Sequence, residues 1–238
     1  MAKFIYHAAN TRGFADHGWV QSKHSFSFAD YLDAERMNFG ALRVLNNDHV
    51  APGKGYADHP HRNMEIISIP LIGELAHQDN MGFGSIVKQG EIQVMSAGRG
   101  IEHREFNNSQ SDPVSFLQIW VIPNQQDVDP RYDHRPMDLE RASNGFLPIV
   151  SPDRQGSTAW IYQDAWFHLA RFDAGFERQY VWKARNNGLY IHVVSGDIQV
   201  GSQQLSEGDG LGIGGASSMK IKAHRPAEFL LLEVPLLS

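Results

Sequence analysis

Two pairs of histidine and carboxylate side chains have the residue types and spacing that best suit chemistry. His59 and His61 form an H-P-H segment, and His103 and Glu105 form an H-x-E segment later in the chain. Side chains at positions i and i+2 of an extended strand point to the same face, so each pair presents two ligands side by side. Three imidazoles and one carboxylate suit Fe, Mn, Co, Ni, Cu or Zn better than Ca or Mg. We therefore predict that the two pairs form one metal site.

The fourth ligand has two candidates, Glu65 and Glu105. Along a continuous strand Glu65 lies about 13 Å beyond His61, at ~3.3 Å per residue, whereas Glu105 lies only ~6.6 Å from His103. A bulge or turn near Asn63 would bring Glu65 back toward the histidines. The spacing favours Glu105 and leaves Glu65 as the alternative.

Composition limits the kinds of site that this chain can hold. It has 238 residues, no cysteine and a formal net charge of −6. Without cysteine there is no thiolate nucleophile, zinc ribbon or iron–sulfur cluster, so a metal must be bound by nitrogen and oxygen. An acidic chain lacks the positive face that nucleic-acid binding needs. We expect a small-molecule partner and no nucleic acid.

The sequence also predicts a location. The first twenty residues have no basic end followed by an apolar run, so a secretory signal is not expected. The apolar ending FLLLEVPLL is interrupted by Glu233 and Pro235 and is far shorter than the ~20 residues of a membrane span. We expect a cytoplasmic protein with no membrane partner.

The elements that must position the candidate ligands are strands. Short apolar runs are separated by 22 Gly and 11 Pro, which is typical of an all-β sandwich or barrel. Pro60 lacks an N–H and therefore belongs at an edge, a strand start or a bulge. The best helical candidate is FADYLDAER at 28–36. The glycine-rich segment GDGLGIGG at 208–215 does not open a helix, so it is not a phosphate loop.

Two related domains are predicted. The segment 123–156 is polar and rich in Pro, Asp and Asn, as a connection would be. The strand and turn pattern of 71–100 returns in 193–213, which suggests one barrel unit used twice. We place the domains at 1–130 and 131–238.

Three other groups of side chains are predicted to have structural roles. One group packs the N-terminal segment over a barrel, one holds a turn, and two arginines point away from the metal because they alternate with its ligands. In that order they are His17, Trp19, His24 and Phe26; His77 and Asp79; and Arg62 and Arg104.

The segments that contain these residues resemble the pirin family of the cupin superfamily, especially its bacterial quercetin 2,3-dioxygenase-like members. The resemblance covers essentially the whole chain and is strongest over 10–125. It is carried by HGWVQSKHSFSFADY at 17–31, HPHRNMEIISIPLIGELAHQD at 59–79 and MSAGRGIEHREFN at 95–107.

The resemblance implies a bicupin, with two antiparallel β-barrels of the double-stranded β-helix type and few short helices. It implies that metal binds only in the N-terminal domain and that the C-terminal domain is metal-free. The family's ligand positions fall here on His59, His61, His103 and Glu105. The single histidines of the C-terminal half, which we expect to be structural or at the surface, are His168, His192 and His224.

The resemblance also implies a function. Such proteins are described as quercetin dioxygenases, which open the central ring of a flavonol with O₂ and release carbon monoxide. We expect one divalent transition metal, with Fe(II) first and Mn, Co, Ni, Cu or Zn as alternatives. Glu105 would be both a ligand and the acceptor of the substrate hydroxyl proton.

Two other functions stay open. Pirin-like proteins are also regarded as non-catalytic regulators whose metal changes contact with a protein partner. A metal-dependent isomerase or sugar-binding protein is a third reading. A bicupin pairs its sheets within one chain, so we expect a monomer.

Overall fold

The chain is almost entirely β-structure in its computed structural model, which describes residues 2–237. Only the ends of the two predicted domains, Met1 and Ser238, lie outside the described residues. Helical structure in the described part is limited to two short 3₁₀ turns, Ala9–Thr11 and Leu139–Ala142. The predicted all-β fold class is confirmed. Within residues 2–237, we find no helix with the length and apolar composition that a membrane crossing requires.

The first half of the chain contains strands β1 to β12. In chain order they are β1 (Lys3–His7), β2 (Gly13–Asp16), β3 (Val20–His24), β4 (Leu42–Val50), β5 (Gly55–His61), β6 (Glu65–Ile72), β7 (Glu74–Asp79), β8 (Gly84–Lys88), β9 (Glu91–Ser96), β10 (Ile101–Asn107), β11 (Val114–Val121) and β12 (Arg131–Pro136).

The second half contains strands β13 to β22. In chain order they are β13 (Leu147–Ser151), β14 (Ala159–Trp160), β15 (Trp166–Phe172), β16 (Glu177–Val181), β17 (Asn187–Ser195), β18 (Asp197–Val200), β19 (Gln203–Ser206), β20 (Gly210–Gly214), β21 (Ser218–Ala223) and β22 (Ala227–Pro235).

These strands form two units of the same architecture, each with a seven-stranded and a four-stranded sheet. The first unit has the orders β12-β9-β6-β11-β4-β3-β2 and β5-β10-β7-β8. The second has β1-β20-β17-β22-β15-β13-β14 and β16-β21-β18-β19. Almost all pairings are antiparallel, the β13–β14 pair being parallel. We call these units the first and second barrels.

Two strands cross the boundary that the sequence predicts between residues 130 and 131. β1 pairs with β20 of the second barrel, and β12 pairs with β9 of the first. The connection 123–156 is therefore more structured than its polar composition suggests, because β12, a 3₁₀ turn and β13 lie within it. The boundary itself stays a prediction.

The two barrels share a hydrophobic core. Its largest cluster of buried side chains draws on both halves, and includes Leu42, Ile67, Ile119, Phe167, Tyr190 and Leu232. Burial of such side chains stabilises the fold by about 1.5–3 kcal/mol each. The two barrels are therefore held together by the same hydrophobic effect that forms each of them.

The glycine-rich segment 208–215 has a packing role in this shared core. It forms β20, where an added Cβ at Gly212 would lie 2.6 Å from the ring of Phe39. One at Gly210 would lie 2.1 Å from the hydroxyl oxygen of Tyr190. Glycine is needed here because the aromatic rings occupy the space of a side chain.

The helix predicted over 28–36 is wrong. Phe28 and Tyr31 form an isolated bridge, and Ala29 has a φ of 48°, which a right-handed helix does not allow. The hydroxyl of Ser27 accepts from the N–H of Asp33 and donates to its carbonyl oxygen. These local hydrogen bonds compete with helix formation and override the helix propensity of the segment.

Candidate metal centre

Three histidines meet in the four-stranded sheet of the first barrel. His59 and His61 lie on β5, and His103 lies on the neighbouring β10, directly opposite His59. The ring centroids are 4.5 Å apart for His59 and His103, 4.8 Å for His59 and His61, and 4.9 Å for His61 and His103. One ring nitrogen from each lies within 4.8 Å of the others. The i, i+2 pair and the strand partner thus form one group of ligands.

The β5 strand is placed at an edge of its sheet, where Pro60 is tolerated. The register between β5 and β10 shifts between His103 and Glu105, so the pairing is irregular beside the histidines. Such irregularities re-aim side chains at functional sites.

Glu105 lines the same cavity as the three histidines but is not a member of their group. Its carboxylate forms a second group with His77 and His103, in which the potential ligand atoms also lie within 4.8 Å of one another. Its Oε1 accepts hydrogen bonds from Ser68 at 3.1 Å and Gln93 at 2.6 Å, and its Oε2 accepts one from Gln118 at 2.7 Å. These donors fix the orientation of a carboxylate that is only 2% exposed.

The alternative carboxylate, Glu65, is placed elsewhere. The chain does turn at Asn63, which has a φ of 49°. Glu65 nevertheless begins β6, where it is buried and accepts a hydrogen bond from Ser96 at 2.7 Å. It belongs to neither group of potential ligands found among the described residues.

The surroundings of His61 and His103 favour neutral imidazoles. The pKa of His61 is lowered to about 3, first by burial and then by the nearby rings of His103 and His59. The pKa of His103 is also lowered to about 3, by burial, His59 and His77. A neutral imidazole has a lone pair for a metal ion, so these rings are ready to bind without losing a proton.

The hydrogen bonds of the imidazole nitrogens indicate whether a metal ion would fit this group. The Nε2 atom of His103 is buried and has no hydrogen-bond partner among residues 2–237. The Nδ1 atom of His59 donates to the carbonyl oxygen of Ala57 at 2.8 Å, in the tautomer that leaves Nε2 free to coordinate. A buried nitrogen without a partner is costly, and a metal ion would satisfy it. The three imidazoles therefore fit a first-row divalent ion.

A second layer of hydrogen bonds supports His103. Its Nδ1 lies 3.4 Å from Nδ1 of His77, and Nε2 of His77 lies 3.1 Å from Oδ2 of Asp79. The other Asp79 oxygen accepts the N–H groups of Met81 and Phe83, each at 3.0 Å. The sequence interpretation of His77 and Asp79 as a turn includes only part of this role. The signal that could have shown more is their i, i+2 spacing on a strand.

The histidines lie at a cavity of about 300 Å³ with mostly apolar walls. Trp19, Phe28, Ile66 and Trp120 contribute the large apolar side chains. Trp19 and Phe28 come from the N-terminal segment, so this segment lines the cavity as well as packing over the barrel. A concave apolar pocket with a few convergent polar groups is the usual form of a small-molecule site.

Two acidic or phenolic groups in this cavity were not found from the sequence. Asp48 on β4 and Tyr56 on β5 both line it, and the Tyr56 hydroxyl donates to Oδ2 of Asp48 at 3.0 Å. The two arginines, by contrast, point elsewhere as expected. Arg62 pairs with Asp127 at 2.9 Å, and Nε of Arg104 donates to Gln78 at 3.1 Å.

Comparison with known proteins shows which family the chain belongs to. A profile of the pirin family matches residues 6–121, and one of the quercetinase C-terminal cupin domain matches residues 148–234. The chain is 39% identical over 228 residues to a protein of Escherichia coli K12 named quercetin 2,3-dioxygenase, which covers 95% of this chain and 96% of that protein. The chain belongs to the pirin family. A pirin-like protein of Caulobacter vibrioides is 37% identical over 222 residues, 93% of this pirin and 95% of that protein.

Solved structures agree on the fold of this pirin. The crystal structure of YhhW from Escherichia coli superposes with a TM-score of 0.94 at 36% identity, over 99% of both chains. A structure of bacterial pirin YhhW in complex with nickel(II) superposes with a TM-score of 0.93 at 35% identity, over 99% of this chain and 100% of that one. The oxalate decarboxylase of Lactobacillus farciminis is 12% identical with a TM-score of 0.64, covering 98% of this chain and 87% of that one, and shows the fold alone. The predicted bicupin architecture is confirmed.

Proposed function

We propose that this pirin is a metal-dependent dioxygenase of the quercetin 2,3-dioxygenase type. Its substrates would be a flavonol and O₂, and its products a ring-opened ester and carbon monoxide. The observation that carries the proposal is the group of three imidazoles at an apolar cavity. The name of the 39% identical relative supplies the substrate class. The fold alone would not do so, because one fold can carry many activities.

The proposed ligands are His59, His61, His103 and Glu105. The histidine group and the nickel(II) complex of a relative support a divalent metal. Fe(II) stays our first expectation, and nickel joins it as a metal to test first. Such a metal, when bound, supplies a Lewis acid that favours the ionised form of a hydroxyl group.

The protein's own residues would bind and orient the substrate. Trp19, Phe28 and Trp120 line the cavity with aromatic side chains, and their apolar surface would exclude water from a planar ligand. Glu105 would accept the proton of the substrate hydroxyl, with Gln93 and Gln118 holding its carboxylate in place. In the overall reaction both atoms of O₂ enter the ester, and one carbon of the central ring leaves as carbon monoxide.

Gas exchange tests the proposal. Metal-free protein would be reconstituted anaerobically with Fe(II), Mn(II), Co(II), Ni(II) or Cu(II), mixed with quercetin and exposed to O₂. We expect one O₂ consumed and one carbon monoxide released per quercetin with at least one metal. His59→Ala should abolish both signals. Tight metal binding without turnover for any ion would contradict the dioxygenase and favour a regulator that acts through a protein partner.

A further inference from the structure

The carboxylate of Asp48 has no part in the proposed chemistry, yet it faces the same cavity. Asp48 is 3% exposed and lies near the C-terminal end of β4. Tyr56 donates to its Oδ2 at 3.0 Å, and Ser22 donates to its Oδ1. Asp48 belongs to neither group of potential metal ligands found among the described residues.

The charge of Asp48 is only partly compensated. Across residues 2–237, no basic side chain forms an ion pair with it. Two hydroxyl donors leave about half of the acceptor sites of a carboxylate unused. Burial raises the pKa of Asp48 to about 6, and the charge of Glu105 acts in the same direction. The hydrogen bonds from Ser22 and Tyr56 and, more weakly, the charge of Arg12 act in the opposite direction. A buried carboxylate in this condition is stabilised by any further donor that enters the cavity.

A carboxylate of the second barrel shows what full compensation looks like. Glu233 also accepts a hydrogen bond from a tyrosine, Tyr180, at 2.8 Å. It accepts in addition the N–H groups of Lys183 and Ala184 and the side-chain amide of Asn187. Glu233 is 0% exposed. The Tyr180–Glu233 pair is a closed structural device, whereas the Tyr56–Asp48 pair opens on a cavity.

We propose that Asp48, held by Tyr56, is a second recognition point that accepts a hydrogen bond from a ligand hydroxyl other than the one at the metal centre. The inference rests on the proposed function, because the ligand is taken to be a flavonol. Planar aromatic substrates with several hydroxyl groups would then be favoured over those with only one. A site built to bond a hydroxyl discriminates strongly against an analogue that lacks it, since its buried acceptor is then left unpaired.

Anaerobic binding to the zinc-loaded protein tests this recognition without turnover. Trp19 and Trp120 line the cavity, so quenching of tryptophan fluorescence reports binding there. The probes are 3-hydroxyflavone, which has one hydroxyl, and 3,5,7-trihydroxyflavone and quercetin, which have more. In the wild type we expect the polyhydroxylated ligands to bind about tenfold more tightly than 3-hydroxyflavone, the low end of what one hydrogen bond to a charged group contributes.

The variants then isolate Asp48. In Asp48→Asn, which keeps the shape but loses the charge and one acceptor oxygen, the ratio of the dissociation constants should fall to about one to threefold. Tyr56→Phe, which loosens Asp48 without removing a charge, should lower the ratio by less. Tyr180→Phe removes the matching hydroxyl in the second barrel and should leave the ratio unchanged.

The outcomes separate this inference from the proposed function. A ratio that stays at the wild-type value in both Asp48→Asn and Tyr56→Phe, or a wild type with no preference for added hydroxyls, overturns the inference. If the preference depends on Asp48 but no metal supports O₂ uptake, the recognition point stands and the dioxygenase fails. Should Asp48→Asn fail to fold, Tyr56→Phe alone decides.

Discussion

The two barrels have the same sheet plan and opposite interiors. In the first barrel, His59, His61 and His103 meet at a cavity that two carboxylates also line. In the second, the corresponding interior is filled by a large apolar cluster that runs from Ala170 to Leu231. The second barrel does contain buried polar groups, and some of them bond to each other, as His168 does to Tyr180 at 3.3 Å.

The two barrels therefore share a sheet arrangement, and the side chains inside each barrel determine whether it can bind a metal ion. Apolar clusters close to the cavity of the first barrel are small, the larger of the two comprising Val20, Val50, Leu75, Val114 and Phe116. In the first barrel, the candidate metal-binding side chains and the cavity occupy the space that an apolar core would otherwise fill. Sites of this kind depart from the rules of good packing, and the remaining structure must stabilise them.

Removing one histidine from each barrel tests most directly whether metal binding depends on the first barrel alone. His103→Ala should lose stoichiometric metal and reduce O₂ uptake to the level without protein, because the buried Nε2 ligand is gone. His168→Gln should keep both, because His168 serves only the second barrel. Metal content after gel filtration and an oxygen electrode measure these effects. Equal metal loss in both variants would show that the two barrels do not differ as described.

Glu105→Gln tests whether Glu105 is the proton acceptor in the first barrel. The three imidazoles remain, so we expect part of the metal to be retained. Turnover should fall by roughly 10²-fold or more, the usual contribution of a general base. The new amide would also face the amides of Gln93 and Gln118, which now donate to Glu105. Full activity with bound metal would rule out Glu105 as the proton acceptor.

His77→Phe tests the hydrogen-bonded support of His103. Phenylalanine keeps the stacking on Tyr132, whose ring centroid lies 4.5 Å from that of His77, but it cannot bond to His103. We expect affinity for Co(II) to fall about 10–100-fold, as is usual when such support is lost. A chelator competition measures the affinity, and thermal unfolding of the metal-free protein provides the control. Unchanged affinity would limit His77 to a packing role.

The smallest effect concerns the buried histidines of the second barrel. Burial lowers the pKa of His168 to about 4 and that of His192 to about 3, from an ordinary 6.5. Below pH 6.5 the unfolded chain therefore binds protons that the folded barrel does not, so stability is complete above this pH and falls as the pH falls toward 4. The slope is at most ~1.4 kcal/mol per pH unit for each histidine.

Urea unfolding of the metal-free protein at pH 7 and pH 5 measures this loss. His168→Gln should lose less stability between the two pH values than the wild type. The other buried histidines contribute to both proteins, so the difference isolates His168. An identical loss in the two proteins would mean that His168 is not held neutral by the fold.

The grouping of His59 with His61 could be predicted from the sequence because strand geometry is local. The i, i+2 spacing of His59 and His61 determines a shared face whatever the rest of the chain does. The register that sets His103 opposite His59 is not local. The residue types and the resemblance to a family both indicated one shared site, but neither gave this register. The hydrogen bonds of Glu105 to Ser68 and Gln118 come from β6 and β11, which no spacing rule connects to β10.

The failures have a similar cause. Asp48 and Tyr56 come together across strands, so neither stood out in the sequence. The helix expected over 28–36 followed local propensity, which the hydrogen bonds of Ser27 override. The strands β1 and β12 cross between the barrels because each pairs with a strand that is distant in the sequence, β20 and β9 respectively. Short sequence patterns carry no information about contacts between strands that are far apart in the sequence.

Anomalous diffraction from crystals of the metal-loaded protein would show where the metal binds. We expect one metal ion per chain, coordinated by His59, His61 and His103 in the first barrel, with Glu105 as the fourth protein ligand. We expect no metal peak near His168 or His192. A fully occupied ion in the second barrel, or one that leaves the three histidines uncoordinated, would contradict the difference between the barrels on which the proposed function rests.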